Sequence, residues 1–257
     1  MNRLARIPHI VLPTAEALAE AAAQRFAAAA SDAVRSHGEF VVVLSGGATP
    51  RGLYARLAAP PYASTVPWSR VQVLWGDERC VAPDQAASNY RMVREALLDH
   101  VPIHAENVHR MHGEDVPAVA AQAYEQTLRT VLRTPSGPPR ATPGARIDLV
   151  LLGLGIDGHT ASLFPGAVDV PDGESWVVAR FDGARSQWRV TLTPLLINAA
   201  AEILFLVSGA GKAAIVQRVL EGARRPRELP AHLIAPVDGR VLWLLDAAAA
   251  HDLEARG

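Results

Sequence analysis

Asp157 and His159 stand two residues apart in the string Leu152-Gly153-Leu154-Gly155-Ile156-Asp157-Gly158-His159-Thr160, directly after the apolar run Ile147 to Leu152. An imidazole beside a carboxylate supplies a proton acceptor and a charge that orients it, which is what general-base chemistry needs. The glycines at 153, 155 and 158 also fit G-x-G-x-x-G after a strand, a dinucleotide signature. Pro165 and Gly166 follow too closely to leave a full helix for a pyrophosphate, so the glycines read better as a sharp turn presenting Asp157 and His159.

Three more loops carry residues of the right type. Ser45-Gly46-Gly47-Ala48-Thr49-Pro50 combines two glycines, which permit close backbone approach, with a helix start whose free N–H groups suit a phosphate. The Lys-Ser/Thr pair of a Walker loop is missing. Trp75-Gly76-Asp77-Glu78-Arg79 puts three charges in a row at a strand end. Such a run is either a solvated loop or a source of one carboxylate, Asp77, and one cation, Arg79. In Ser208-Gly209-Ala210-Gly211-Lys212, the lysine is the only one in a chain with 24 arginines and 46 alanines. Where arginine has replaced every other lysine, a retained ammonium at a glycine-rich helix start suggests a point charge on a phosphate. Arg189, heading Val190-Thr191-Leu192-Thr193, is a further anion ligand or an exposed strand residue. The remaining histidines, including His109 and His112, and the lone Cys80 read as structural, and no spacing of Cys and His resembles a metal site.

These loops need strands and helices to hold them. Short, nearly continuous Val/Ile/Leu runs recur at Phe40 to Leu44, Val71 to Trp75, Ile147 to Leu152, Ile203 to Val207 and Val241 to Leu245, as expected of strands buried on both faces. Helical patterns alternate with them at Thr14 to Ser36, Thr49 to Ala59, Ser88 to Leu98, Val116 to Leu132 and Gly211 to Leu220. Thr14, Thr49 and Ser88 are candidate N-caps, and Pro50 a first helical residue. The alternation predicts an α/β fold, a doubly wound (Rossmann-like), mostly parallel sheet with helices on both faces. Trp176 to Phe181 and Trp188 to Leu192 add a small β-rich excursion, a hairpin or a strand with an edge strand. The segment 133–146, with four prolines and two glycines, reads as a surface loop within a single domain spanning 1–257.

Composition excludes several classes. The chain has 257 residues, 49% hydrophobic and 20% charged, enough for a sizeable core and outside the disordered range. A net charge of -1 leaves no electrostatic footprint for nucleic acid or an anionic membrane. One cysteine rules out an internal disulfide framework and fits a reducing compartment, the cytoplasm. Pro8, Pro13 and Glu16 break up the apolar N-terminal stretch, so no signal peptide is expected, and no run of eighteen apolar residues suggests a membrane span.

Taken in order, SGGATP (45–50), WGDER (75–79), SNYRM (88–92), DLVLLGLGIDGHTASLFPG (148–166), RVTLT (189–193) and SGAGKA (208–213) resemble the 6-phosphogluconolactonase family, within the wider group that includes glucosamine-6-phosphate deaminase/isomerase. The resemblance runs from about residue 10 to 245. It implies a modified doubly wound parallel sheet and a metal-independent, cofactor-free hydrolysis of 6-phospho-D-glucono-1,5-lactone to 6-phosphogluconate in the oxidative pentose phosphate pathway. It also implies that His159 is the catalytic base. The chain departs from the pattern in its proline-rich 133–146 segment and in Gln187-Trp188, where proline is expected before Arg189.

The chemistry of the residues agrees with this. A substrate phosphate carries about -1.5 to -2 charges, to be met by the amides of Ser45, Gly46, Gly47 and Thr49 and by Arg79, Arg189 and Lys212. A lactone needs a positioned, deprotonated water, with His159 as base and either Asp157 or Asp77 to orient the imidazole or the water. The partner is then a small sugar-phosphate lactone, and a monomer or weak homodimer suffices. Two other classes fit less well. An amino-sugar phosphate deaminase/isomerase needs an additional acid-base relay. A non-catalytic sugar-phosphate sensor would not require His159.

Overall fold

The computed structural model describes residues 7–134, 147–167, 174–236 and 238–254. In chain order the elements are β1 (His9–Leu12), α1 (Ala15–His37), β2 (Phe40–Leu44), α2 (Ala48–Leu57), α3 (Tyr62–Thr65), β3 (Val71–Trp75), β4 (Asp77–Arg79), α4 (Asn89–Ala96), α5 (Pro117–Val131), β5 (Leu149–Leu152), β6 (Val177–Asp182), β7 (Gln187–Leu192), α6 (Pro194–Ile197), β8 (Glu202–Val207), α7 (Ala213–Leu220) and β9 (Arg240–Asp246). Six strands make a parallel sheet in the order β1-β9-β8-β5-β2-β3, and β4-β7-β6 make a separate antiparallel one.

Every residue of β2, β5 and β8 is buried, as continuous runs such as FVVVL and LVLL require when both faces of a strand are covered. The α1 helix starts where Thr14 Oγ1 accepts the Ala17 N–H at 3.2 Å. It stops at Gly38, whose φ of +90° suits glycine and whose N–H reaches the Val34 carbonyl. Its buried alanines, Ala22, Ala23 and Ala30, keep the inner face thin, and Phe26 fills the space against Phe40 and Trp68. Farther along the sheet, Phe205 and Trp243 stack with ring centroids 3.9 Å apart.

From β2 the chain moves outward to β3, whereas from β5 it moves the other way to β8. The loops leaving β2 and β5 therefore diverge at adjacent strand ends, which opens the crevice where ligands bind in open α/β sheets.

Several elements differ from the sequence reading. The Asp77–Arg79 run is not a solvated loop but strand β4, turned out of the main sheet at Gly76, with Asp77 and Glu78 buried. Helix α2 is capped by Gly47 rather than Thr49, so Thr49 and Pro50 lie inside its first turn. Lys212 closes a short 3-10 turn, Ala210–Lys212, ahead of α7. Strand β1 was not anticipated because it has four residues between Pro8 and Pro13, positions tolerated only at a sheet edge. The two β-like runs pair as a hairpin, β6 with β7. Of the 133–146 segment only Arg133 and Thr134 fall within the described residues.

Candidate active site

All ten candidate residues border one cleft of about 750 Å³ at the carboxyl ends of β2, β5 and β8. The loop after β2 is held from below. Buried Tyr54 donates its hydroxyl to the Ser45 carbonyl at 2.8 Å and accepts the Ser45 N–H at 3.0 Å, pairing both backbone groups of the residue. Gly46 has no room for a side chain, since a Cβ there would lie 1.8 Å from Asn89 Oδ1. Among the described residues no side chain caps the first turn of α2, so its amides stay available to an anion. The Ser45 hydroxyl is buried, with no hydrogen-bond partner among the described residues.

Strand β4 presents alternate residues to opposite sides. Glu78 points away and accepts the N–H groups of Arg79, Asn89 and Tyr90 and the Ser88 hydroxyl, tying β4 to the start of α4. Burial pushes its carboxyl above the usual range, against those four donors. Asp77 faces the cleft. Its carboxylate accepts the Ser162 hydroxyl at 2.6 Å and the Asn89 amide at 3.2 Å. Neither Asn89 nor Ser162 was singled out from sequence, although both sit inside the SNYRM and DGHTASLFPG strings.

The loop after β5 folds back tightly. The Gly155 N–H reaches the His159 carbonyl at 2.8 Å, and the Gly158 N–H reaches the Gly155 carbonyl at 3.0 Å. Gly158 has a φ of +85°, and a Cβ there would come within 2.6 Å of Leu229. A Cβ at Gly155 would lie 2.1 Å from His159 Nδ1, so both glycines are required for the imidazole to take its place. There His159 Nδ1 lies 2.5 Å from Asp157 Oδ1, which also accepts the His159 N–H at 3.1 Å. A carboxylate accepts, so the geometry assigns the proton to Nδ1 and leaves Nε2 as the basic nitrogen. Nε2 has no hydrogen-bond partner among the described residues, and the ring packs against Phe164 with centroids 5.2 Å apart. Burial works to raise the Asp157 carboxyl, but the His159 N–H and the imidazole outweigh it, and its pKa falls below the usual value. The structure thus separates the two aspartates: Asp157 meets the imidazole, whereas Asp77 meets Ser162 and Asn89.

Cations ring the cleft. Lys212 Nζ donates to the Leu154 carbonyl at 2.6 Å, and burial draws its pKa down while Asp157 partly restores it. The loop beneath it is fixed by Asp246, which takes the Ser208 hydroxyl and the Gly209 N–H. Arg79 donates to the Ala87 carbonyl. Arg189 is 6% exposed and pairs with Asp182 at 3.1 Å. Arg185, at the tip of the β6–β7 hairpin, borders the same cleft and also escaped the sequence reading. Among the described residues no three His, Cys, Asp or Glu side chains gather as around a metal ion, and no helix is long and apolar enough to cross a membrane.

Residues 13–243 match the family model described as glucosamine-6-phosphate isomerases/6-phosphogluconolactonase. A 6-phosphogluconolactonase from a Nostoc species is 41% identical over 246 residues, covering 95% of this chain and 97% of the relative. One from Haemophilus influenzae is 36% identical, covering 94% and 97%. Among solved structures, 6-phosphogluconolactonase from Leishmania guyanensis superimposes with a TM-score of 0.82 at 30% identity, covering 97% of this chain and 99% of that one.

Proposed function

The chain belongs to the glucosamine-6-phosphate isomerase/6-phosphogluconolactonase family, and from that premise we propose that it hydrolyses 6-phospho-D-glucono-1,5-lactone to 6-phosphogluconate, a step of the oxidative pentose phosphate pathway. The observation that carries this reading is the free, basic Nε2 of His159, held by Asp157 in a cleft whose other walls offer N–H groups and cations. Phosphate seats on the amides at the start of α2 and the Ser45 hydroxyl, with Arg79, Arg189 and Lys212 supplying charge.

With the phosphate anchored, the lactone carbonyl lies within reach of a water hydrogen-bonded to Nε2. His159 takes a proton as the water oxygen bonds to C1, and Asp157 stabilises the resulting imidazolium. The tetrahedral intermediate then collapses, the bond from C1 to the ring oxygen breaks, and the imidazolium returns its proton to that oxygen. The carboxylic acid formed loses its own proton to solvent. No covalent intermediate and no metal are needed.

Isomerisation of an amino sugar would require a further acid-base group near His159. Among the described residues the imidazole instead has one carboxylate partner, Asp157, and an apolar neighbour, Phe164. The test is proton release from freshly made 6-phosphogluconolactone in the presence of a chelator, with glucosamine 6-phosphate as a parallel substrate. Loss of the lactone well above its spontaneous rate is expected, with no ammonia from the amino sugar. No acceleration, activity that depends on added metal, or ammonia release would overturn the reading.

A further inference from the structure

The small sheet holds a row of like charges. Arg79 lies directly across from Arg189 on one side, and Arg180 lies directly across from it on the other. Directly opposed like charges destabilise a sheet. Burial draws the Arg189 pKa below its usual value, with Arg79 and Arg185 adding to that and Asp77 and Asp182 opposing it. Arg189 makes one side-chain hydrogen bond, from Nη2 to Asp182, and its buried Nε has no partner among the described residues. Buried donors left unpaired are costly, so an arrangement of this kind fits a site completed by an anion.

Asp182 organises the hairpin tip. Its side chain is 3% exposed. One oxygen accepts the N–H groups of Ala184 and Arg185 at 3.1 and 3.2 Å, which shapes the turn. The other accepts Arg185 Nη1 at 3.0 Å and Arg189 Nη2 at 3.1 Å, so a single buried carboxylate grips both guanidiniums. Burial works to raise the Asp182 carboxyl, and its contacts with Arg185 and Arg189 more than offset this, keeping it below the usual range and ionised. The Arg185 side chain remains 59% exposed beside the cleft, with donors to spare.

We infer that Asp182 is a positioning residue that aims Arg189 and Arg185 together, and that Arg185 is a further ligand of the substrate phosphate, so that preference for the phosphorylated lactone resides partly in this hairpin tip. The inference rests on the lactonase reading above. It differs from a purely structural role for Asp182, because a structural role would damage turnover of any lactone equally.

Steady-state kinetics of wild type, Asp182→Asn, Arg185→Met and Arg185→Lys on 6-phosphogluconolactone and on unphosphorylated glucono-1,5-lactone test it, with inorganic phosphate as a competitive probe. Arg185→Met alters an exposed side chain and keeps the fold. It should raise KM for the phosphorylated lactone and the inhibition constant of phosphate by about five-fold, the scale of an exposed ion pair, with kcat little affected and Arg185→Lys restoring much of the loss. Asp182→Asn should raise both by about ten-fold, since it loosens a nearly buried guanidinium as well. In both variants the preference for phosphorylated over unphosphorylated lactone should fall by the same factors. An unchanged KM and phosphate inhibition in Arg185→Met, or equal losses on both lactones in either variant, would overturn the inference. Failure of the wild type to hydrolyse 6-phosphogluconolactone at all would instead overturn the lactonase reading.

Discussion

Replacing Asp157 by Asn tests the core of the proposed mechanism, because it keeps the side chain's shape and removes the charge beside His159. The two groups meet at 2.5 Å, with charge centres roughly 4 Å apart, and an ion pair at that separation is worth about 1 kcal/mol in water and about 4 kcal/mol at a typical near-surface dielectric. The Asp157 side chain is 46% exposed, so solvent screening favours the lower part of that range, about 1–2 kcal/mol. Losing that stabilisation of the imidazolium should lower kcat about 5- to 30-fold. A larger loss, up to the roughly 100- to 10,000-fold worth of a whole general base, follows if the new amide turns its NH2 toward Nδ1 and drives the proton onto Nε2. Proton release from fresh substrate measures the loss, with His159→Ala as the lower bound and Asp77→Asn, whose carboxylate meets Ser162 and Asn89, for comparison. Wild-type kcat in Asp157→Asn would refute the assignment of the dyad.

Lys212→Met removes a charge and keeps most of the stem; it should lower kcat/KM on the phosphorylated lactone about 10- to 150-fold, the value of a charge-assisted contact, and lower the preference over glucono-1,5-lactone by the same factor. Equal losses on both substrates would place the lysine at the reacting ring instead. Gly158→Ala forces a side chain to a φ of +85° and within 2.6 Å of Leu229, so urea melts should show at least about 1–3 kcal/mol of destabilisation, and any folded fraction should turn over poorly. Wild-type stability there would show that the turn tolerates a side chain. Arg110 grips Glu114 through two hydrogen bonds, holding its pKa at about 2 against an ordinary 4.5. The depressed value means the pair stabilises the fold above pH 4.5 and ceases to as pH falls through about 2. Glu114→Gln should therefore cost about 0.5–1 kcal/mol at pH 7, allowing for its partial exposure, and only a small part of that at pH 2, by urea melts at both pH values.

Much of the site was legible in the chain because strand period and glycine placement act locally. Continuous apolar runs marked the buried strands, and the residues after β2, β5 and β8 had to emerge at one end of a parallel sheet. Asp157 and His159 were readable as a pair because a two-residue spacing on a glycine turn leaves few geometries, and the turn brings Asp157 Oδ1 to Nδ1. Which of Asp157 and Asp77 orients the imidazole was not readable. Asp77 arrives on another strand, and its neighbours depend on the pairing of Asp77 with Thr191 and on where α4 starts, neither of which has a local signal. The charged run 77–79 could not be told from a solvated loop for the same reason. Only α4 and the loop after β5 make burial of Asp77 and Glu78 possible, by supplying donors from Ser88, Asn89 and Ser162. Arg185 and Asp182 lay in an unremarkable stretch until the β6–β7 register set them beside Arg189. Side chains that border one cleft from several strands are brought together by sheet register and long-range packing, whereas the turn that sets His159 against Asp157 is written in consecutive residues.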